Sequence, residues 1–255
     1  MIAMGVDIGS LFSKAVIVEG DKLVASRIVR TTGNIAREIE ELIADVVRGA
    51  GLENKVEKLV STGAGAELVQ SADFSENDVS CVGAAAAYYL PKVQLAIDIG
   101  GQSITSLLLD ADGDIVNFMR NDKCASGSGR FLEVMSQKLS VDVSAIDREA
   151  SGSSHPVELS AQCGVFAESE VITHLNAGAS RSDVLAGVCA AVAKIVVAQG
   201  RRFGMADHYT LTGGVARTDT VTRIVRQRLI GQYHQFPFDP QLTAAIGAAL
   251  LADSE

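Results

Sequence analysis

The segment A-M-G-V-D-I-G-S at residues 3–10 recurs as Q-L-A-I-D-I-G-G at residues 94–101. Each copy is an apolar run that ends in an aspartate, Asp7 or Asp98, with a glycine shortly after it. Such a run is typical of a buried strand, and the glycine lets backbone N–H groups approach a phosphate. The carboxylate can hold a hydrated Mg²⁺. The repeat therefore predicts an α/β fold of two facing domains, each with a mixed sheet and the same βββ beginning.

Hydrophobic periodicity along the chain predicts how many elements each half of the repeat carries. Strands are predicted at residues 2–8, 13–18, 23–29, 56–62, 103–109, 115–118, 157–159, 208–211 and 233–236. Helices are predicted at residues 35–48, 127–139, 165–176, 184–203, 217–229 and 243–251, and a run of small residues at 81–87 predicts one more. This order predicts a first domain at 1–94, to which 241–255 return, and a second domain at 95–240.

The composition limits the kinds of partner. The 255 residues carry a formal net charge of −9, so neither a nucleic acid nor a membrane surface is an expected partner. The sequence has no run of eighteen apolar residues and its N-terminus does not resemble a signal peptide, so a cytoplasmic protein is expected. In that reducing compartment the four cysteines should be free thiols, metal ligands or catalytic groups, and not disulfides.

A third glycine-rich turn, T-G-G-V-A at residues 212–216, follows a predicted strand. With D-I-G-S at 7–10 and D-I-G-G-Q at 98–102, it resembles the phosphate and adenosine motifs of the actin, sugar-kinase and Hsp70 ATPase superfamily. The small-residue helices at 83–87 and 244–249 are similar to the two connecting helices that cross at the hinge of that superfamily. The resemblance implies two facing ribonuclease H-like domains with a nucleotide cleft between them.

The superfamily resemblance also implies roles for residues of these motifs. Asp7 and Asp98 are expected around the Mg²⁺ and the attacking water of bound ATP, which becomes ADP. Gln102 is expected to position that water, and Lys14 to face the phosphates. The other nucleotide contacts are expected from Gly9, Ser10, Leu11, Ser13, Gly100, Gly101, Gly213, Gly214 and Val215.

Two of the four cysteines, Cys124 and Cys163, stand just before predicted helix starts. A helix N-terminus carries partial positive charge and stabilises a thiolate or an anionic metal cluster. Two thiolates are half of a four-thiolate iron–sulfur site, which a symmetric dimer would complete, and zinc with two histidines is the competing metal. Cys81 and Cys189 have apolar neighbours and are expected to be buried. Glu133 is predicted in the first turn of its helix, where a carboxylate favours the helix dipole.

The cysteine segments carry a closer resemblance. C-A-S-G-S-G-R-F-L-E-V-M at residues 124–135 and C-G-V-F-A-E-S-E-V-I at 163–172 resemble those of the ATP-dependent activators of 2-hydroxyacyl-CoA dehydratases and the ATPase subunits of benzoyl-CoA reductase. The resemblance implies a homodimer that holds one [4Fe-4S] cluster through Cys124 and Cys163 of each subunit. It also implies an electron donor such as ferredoxin or flavodoxin. ATP would then drive single electrons onto a transiently bound dehydratase, reductase or other double-cubane iron–sulfur protein.

A different class of function fits the same fold. The chain would then be a small-molecule kinase or a redox-sensing ATPase, with Cys124 and Cys163 as the sensing pair. No sugar-recognition element is visible, and the chain is short for a sugar kinase. Iron content and oligomeric state distinguish the two hypotheses.

Overall fold

The computed structural model describes residues 1–53, 55–122, 124–160 and 163–253. Within these ranges the strands form two five-stranded sheets with helices packed on them. Lys123, and the last two residues of the predicted returning segment 241–255, lie outside the described residues. The α/β fold class with mixed sheets, predicted from the repeated D-I-G segments, is confirmed.

The first sheet has the strand order β3-β2-β1-β4-β5. Its strands are β1 (Ile2–Ile8), β2 (Phe12–Glu19), β3 (Lys22–Arg30), β4 (Lys58–Thr62) and β5 (Phe74–Ser75). β2 runs antiparallel to β1, whereas β4 runs parallel to it, so the sheet is mixed about β1. Helix α1 (Ile35–Ala50) buries Ile39, Leu42 and Val46 against one face, since these residues repeat with helical spacing.

The second sheet repeats this arrangement in the order β10-β9-β6-β7-β8. Its strands are β6 (Leu95–Ile99), β7 (Ile104–Leu109), β8 (Ile115–Asn121), β9 (His208–Thr212) and β10 (Gln232–Tyr233). Among the described residues, the α-helices of this half are α3 (Gly129–Lys138), α4 (Ile146–Ala150), α5 (Gly164–Asn176), α6 (Arg181–Gly200) and α7 (Asp219–Arg228). β6 occupies the position of β1, so Asp7 and Asp98 end the equivalent central strands.

Helix α6 is long and apolar enough to cross a membrane by length and composition, but most of it is buried inside the fold. Val188, Val192 and Val196 are fully enclosed by the core of the second half. A helix that is apolar on all sides is expected either in a membrane or at the centre of a core. The burial of α6 therefore assigns it to the core.

One predicted strand, at 157–159, is wrong. The N–H of Val157 donates to the carbonyl of Asp183 on α6 at 3.1 Å, and not to a neighbouring strand. The segment lies along α6, where Leu159 is buried in the helical core. A short stretch with two apolar residues is therefore packed on a helix here, and not in a sheet. The very short β5 and α4 were not predicted, since so few residues show no periodicity.

Two further helices, α2 (Asp78–Tyr89) and α8 (Thr243–Leu250), lie between the sheets. α8 packs on the first sheet and α2 on the second, and the two helices contact each other. A Cβ atom added at Gly247 of α8 would lie 1.7 Å from the carbonyl oxygen of Cys81 on α2. A Cβ at Gly5 of β1 would lie 1.8 Å from the carbonyl oxygen of Ala245. The backbones approach so closely that only glycine fits at these two contacts.

We expect Gly247→Ala to lower the free energy of unfolding, because the added methyl group meets backbone atoms that cannot rotate away. Overpacking of this kind costs about 1–3 kcal/mol. Gly49→Ala is the matched control, since a Cβ at Gly49 of α1 meets no atom within 4 Å. There the gain in helix propensity should raise stability by up to ~1 kcal/mol. Urea denaturation of both variants measures the difference, and an unchanged midpoint for Gly247→Ala would contradict the close helix contact.

Candidate functional site

A cleft of about 1240 Å³ lies between the two halves and receives loops from both sheets. Ser13 does not line it, since the Ser13 hydroxyl pairs instead with that of Thr31 at 3.0 Å. The predicted nucleotide and catalytic residues that do line the cleft are Asp7, Gly9, Ser10, Leu11, Lys14, Asp98, Gly100, Gly101, Gln102, Gly213, Gly214 and Val215. The structure thus brings the three glycine-rich turns together around one space.

Asp7 and Lys14 form a buried ion pair at the end of the first sheet. They face each other in the antiparallel register of β1 and β2. Lys14 Nζ donates to Asp7 Oδ2 at 2.6 Å, and both residues are buried. The lysine predicted to face phosphates is therefore bound to the aspartate predicted to hold Mg²⁺. The pair fixes the position of both side chains on the cleft wall.

Asp98 occupies the equivalent position in the second sheet. Thr212 pairs with it across β6 and β9, and the Thr212 hydroxyl donates to Asp98 Oδ1 at 2.9 Å. The pKa of Asp98 is raised to about 6. Burial is the main cause, the negative charges of Asp7 and Asp78 add to it, and the hydrogen bond from Thr212 and the charge of Lys14 oppose it. A carboxylate with a raised pKa that faces a cleft is typical of a functional site. A bound cation would favour its ionised form.

The raised pKa of Asp98 predicts a pH dependence of Mg²⁺-nucleotide binding. Below about pH 6 the protonated carboxyl no longer offers a charged ligand, so affinity should fall by about tenfold per pH unit. Above that pH the affinity should be nearly constant. Calorimetric titration with Mg²⁺-ADP between pH 5 and 8 measures this, and Asp98→Asn should bind weakly with a flat profile. A wild-type profile that stays flat to pH 5 would exclude Asp98 from the cation site.

Helix α3 begins directly on the second phosphate turn. The N–H of Gly129 donates to the carbonyl of Gly100 at 2.9 Å, and that of Arg130 donates to Gly101 at 2.8 Å. Ser128, at the N-cap position, makes no side-chain capping bond. The first donors of α3 are therefore satisfied by the glycine turn of the cleft. A displacement of that turn must move the start of α3, and Cys124 lies in the segment just before it.

Glu133 of α3 bridges the two halves. Its side chain is only 5% exposed, and it accepts hydrogen bonds from Arg30, at the end of β3, and from Arg130 at 2.7 Å. Burial alone would raise the pKa of Glu133, but the two guanidinium groups hold it below its ordinary value. The prediction that Glu133 lies in the first turn is wrong, because α3 begins at Gly129. Its carboxylate pairs with arginines and not with the helix dipole.

Sequence reasoning missed several residues of the cleft, of which Gly63 is the clearest. It follows β4 with a φ of +87°, and a Cβ there would lie 2.3 Å from Asp7 Oδ1. Only glycine permits this backbone beside the aspartate. The signal was available as S-T-G-A-G at residues 61–65, a glycine turn at the end of a predicted strand. Arg30 carried no such signal, because its partner Glu133 is 103 residues away.

The four cysteines divide into two classes, as predicted. Cys81 and Cys189 are buried, and burial raises the pKa of each thiol to about 12, so both remain protonated at neutral pH. Cys124 and Cys163 are exposed. Within residues 1–53, 55–122, 124–160 and 163–253, no three or more histidine, cysteine, aspartate and glutamate side chains could together hold a metal ion. One chain therefore offers two accessible thiols and no complete metal site in the described ranges.

The two exposed cysteines belong to segments that meet. Cys163 is the N-cap residue of α5 and makes no side-chain capping bond. A Cβ on Gly164, the next residue, would lie 3.5 Å from the Phe131 ring of α3 and 3.5 Å from Ser126 Oγ, beyond Cys124 in the other segment. The start of α5 thus packs on the turn and helix that follow Cys124. The segments that carry the two exposed thiols are therefore neighbours in the second half.

Three comparisons with known proteins cover nearly the whole chain. The 2-hydroxyisocaproyl-CoA dehydratase activator of Clostridioides difficile is 40% identical over 260 residues, which span 100% of this chain and 96% of the relative. A solved structure of the activator of the 2-hydroxyisocaproyl-CoA dehydratase from Clostridium difficile, with bound ADPNP, has a TM-score of 0.92 at 38% identity. That match covers 100% of this chain and 95% of the other.

The crystal structure of the Acidaminococcus fermentans (R)-2-hydroxyglutaryl-CoA dehydratase component A has a TM-score of 0.93 at 33% identity, and the match covers 100% of this chain and 98% of the other. Residues 4–252 match the BadF/BadG/BcrA/BcrD ATPase family. The resemblance predicted from the glycine turns and the cysteine segments is confirmed. This chain belongs to the BadF/BadG/BcrA/BcrD ATPase family.

Proposed function

We propose that this protein is an ATP-hydrolysing activator that drives single electrons onto an iron–sulfur enzyme acting on CoA esters. Relatives over the whole length are activators of 2-hydroxyacyl-CoA dehydratases, which supports this class of partner. The observation that carries the proposal is the pair of backbone hydrogen bonds from the start of α3 to Gly100 and Gly101. They join the nucleotide cleft to the segment of Cys124. An ATPase with such a link can convert nucleotide turnover into movement of a thiol site.

The cleft supports ATP or ADP with Mg²⁺ as the ligand, as does the ADPNP in the structure of a relative. Asp7 and Asp98 line the same cleft from equivalent strands of the two sheets, and oxygen ligands of this kind suit Mg²⁺. Gln102 stands on the cleft wall, where its amide can orient the attacking water. The backbone of the three glycine turns supplies the phosphate and adenosine contacts.

Cys124 and Cys163 fit an iron–sulfur ligand set when two chains combine. Both thiols are exposed and lie on segments that pack together, so a second copy would supply the other two of four thiolates. Val165 and Phe166, beside Cys163, are 73% and 68% exposed, and apolar side chains of this kind suit a homodimer interface. A [4Fe-4S] cluster held there would supply a one-electron carrier. The buried Cys81 and Cys189 are unsuited to the role.

Coupling runs through α3. Nucleotide binding between the halves acts on the turn Gly100–Gly101, and the hydrogen bonds from α3 make that helix follow the turn. The Arg30–Glu133 ion pair ties the same helix to the first half. Domain closure therefore reorients α3 and, through its contact with α5, the starts of both cysteine segments. Movement of helix N-termini relative to an anionic site changes its reduction potential.

The remaining assignments follow from this function. The electron donor is proposed to be a small carrier of the ferredoxin or flavodoxin type, and the acceptor a transiently bound dehydratase or reductase with its own iron–sulfur centre. The thiols must stay reduced, which places the protein in the cytoplasm. The division into residues 1–94 with 241–255, and residues 95–240, assigns the cysteine segments to the second domain.

Anaerobic reconstitution with iron and sulfide tests the proposal. We expect a brown protein with about four irons per two chains, which oxygen bleaches. Light scattering should give a dimer, and ATP hydrolysis should accompany electron transfer to an added dehydratase component. A colourless monomer that phosphorylates a small molecule would replace this function with the kinase. A cluster-free protein whose ATPase responds to oxidation of Cys124 and Cys163 would replace it with the redox sensor.

A further inference from the structure

A buried hydroxyl lies between the two cysteine segments without a partner. Ser126 is only 5% exposed, and its Oγ has no hydrogen-bond partner among the described residues. Buried polar groups in native proteins almost always have a partner, and an orphaned one requires an explanation. An unsatisfied buried hydroxyl destabilises the folded state. One explanation is a hydrogen-bond partner that binds to the chain from outside.

The neighbouring turn shows that the orphan is specific to Ser126. Ser128, two positions on, donates its hydroxyl to the carbonyl of Ala125 at 2.6 Å. Gly127 between them has a φ of +92°, and a Cβ there would lie 2.9 Å from the side chain of Ile195 on α6. The turn is therefore fixed by glycine geometry and by the packing of α6. It satisfies one serine internally and directs the other to the meeting point of the segments.

The place of that hydroxyl is given by the start of α5. Ser126 Oγ would lie 3.5 Å from a Cβ on Gly164, the residue after Cys163, and Ser126 itself stands two positions after Cys124. The donor thus borders both thiol segments. Thr62, Ser106 and Thr210 are the other buried hydroxyls without a partner in the described ranges, and they lie on strands β4, β7 and β9. Of these, Ser126 alone borders the segments of Cys124 and Cys163.

We propose that the Ser126 hydroxyl donates a hydrogen bond to a sulfur atom of the site held by Cys124 and Cys163 and so raises its reduction potential. The inference rests on the proposed function. It gives Ser126 a positioning role, because this residue would act on the site through a hydrogen bond and not as a ligand. The reduced form carries one more negative charge, so a donor aimed at sulfur stabilises it more than the oxidised form. Ser126 thereby sets the reduction potential that the site has before nucleotide turnover changes it.

The test is the midpoint potential of the reconstituted dimer, followed by electron paramagnetic resonance. Ser126→Ala should keep its iron and shift the midpoint downward by about 60 mV, the equivalent of a tenfold change in a one-electron equilibrium constant. Ser126→Thr keeps a hydroxyl and should stay near the wild-type value. Thr210→Val is the matched control, because the Thr210 hydroxyl is also buried without a hydrogen-bond partner. Thr210 lies opposite Ala96 in the strand register, on the face of the sheet that packs against α2. Its midpoint should not change.

A second readout can be made on the wild-type protein and then compared with the variants. In wild-type protein, pulsed ENDOR should detect a proton coupled to the reduced site, and exchange into heavy water should replace that proton signal by a deuteron signal. Loss of that coupling in Ser126→Ala, with retention in Ser126→Thr, supports the inference. A loaded Ser126→Ala protein with the wild-type midpoint, or absence of the proton signal in the wild type, overturns it. Failure of the wild type to take up iron would instead overturn the proposed function itself.

Discussion

A Cys124→Ser protein is expected to lose its bound iron and its dimeric state while it still binds Mg²⁺-ADP. A serine hydroxyl is a poor replacement for a thiolate, because it stays protonated at neutral pH and is a hard ligand where iron–sulfur sites use soft ones. In a symmetric dimer one substitution removes two of the four ligands. Only one thiolate of each chain would remain to bind the proposed cluster, and the two chains would lose the ligands that are proposed to join them.

Nucleotide binding should survive this change for structural reasons. Cys124 does not line the cleft, and the hydrogen bonds from Gly129 and Arg130 to the glycine turn involve backbone atoms. Iron analysis, light scattering and calorimetry on one preparation separate the two properties. Cys189→Ala is the matched control, because Cys189 is buried in α6 and should leave iron content unchanged. Wild-type iron content in Cys124→Ser, or loss of iron in Cys189→Ala, would show that the ligands are assigned wrongly.

The fold was predictable where the signal was local. The two D-I-G segments carry strand, turn and glycine within eight residues, and the strands that follow each segment take the same order in the sheet. The repeat therefore predicted two sheets of like topology around β1 and β6. The strand predicted at residues 157–159 was wrong, because an apolar stretch does not show which element it packs against. Here that element is α6. Short elements such as β5 have too few residues for a period.

The residues of the site were likewise predictable where their signal lay within a short stretch of sequence. Glycine turns and cysteines before helices are contiguous patterns with a physical meaning, and the structure brings the turns into one cleft. The ion pair of Arg30 with Glu133 joins residues 103 positions apart, and nothing in the sequence around Arg30 indicates this partner. The orphaned hydroxyl of Ser126 is likewise a property of packing, since the sequence shows only one serine among several. Long-range pairing of this kind requires coordinates.

The second large effect is expected from Asp7→Asn, which should lower ATP hydrolysis by about 10²–10³-fold. The amide keeps the shape of the side chain but removes the charge proposed to hold Mg²⁺. It also leaves Lys14 without its counter-charge in a setting where the two side chains are 11% and 9% exposed. Breaking a buried pair from one side costs about 3–5 kcal/mol of stability. Activity and stability are therefore expected to fall together.

The double variant Asp7→Asn/Lys14→Met separates these effects. Replacing the lysine by an apolar side chain of similar length removes the unpaired charge, so urea denaturation should show most of the lost stability restored. Hydrolysis should stay low, because the Mg²⁺ ligand is still missing. Iron content and the dimer should match the wild type in both variants, since Asp7 lies on the cleft wall and not in a cysteine segment. This pattern is the reverse of the one expected for Cys124→Ser, which should lose iron and the dimer but keep nucleotide binding. Recovery of hydrolysis in the double variant would mean that Asp7 serves only to neutralise Lys14, and the metal would then depend on Asp98.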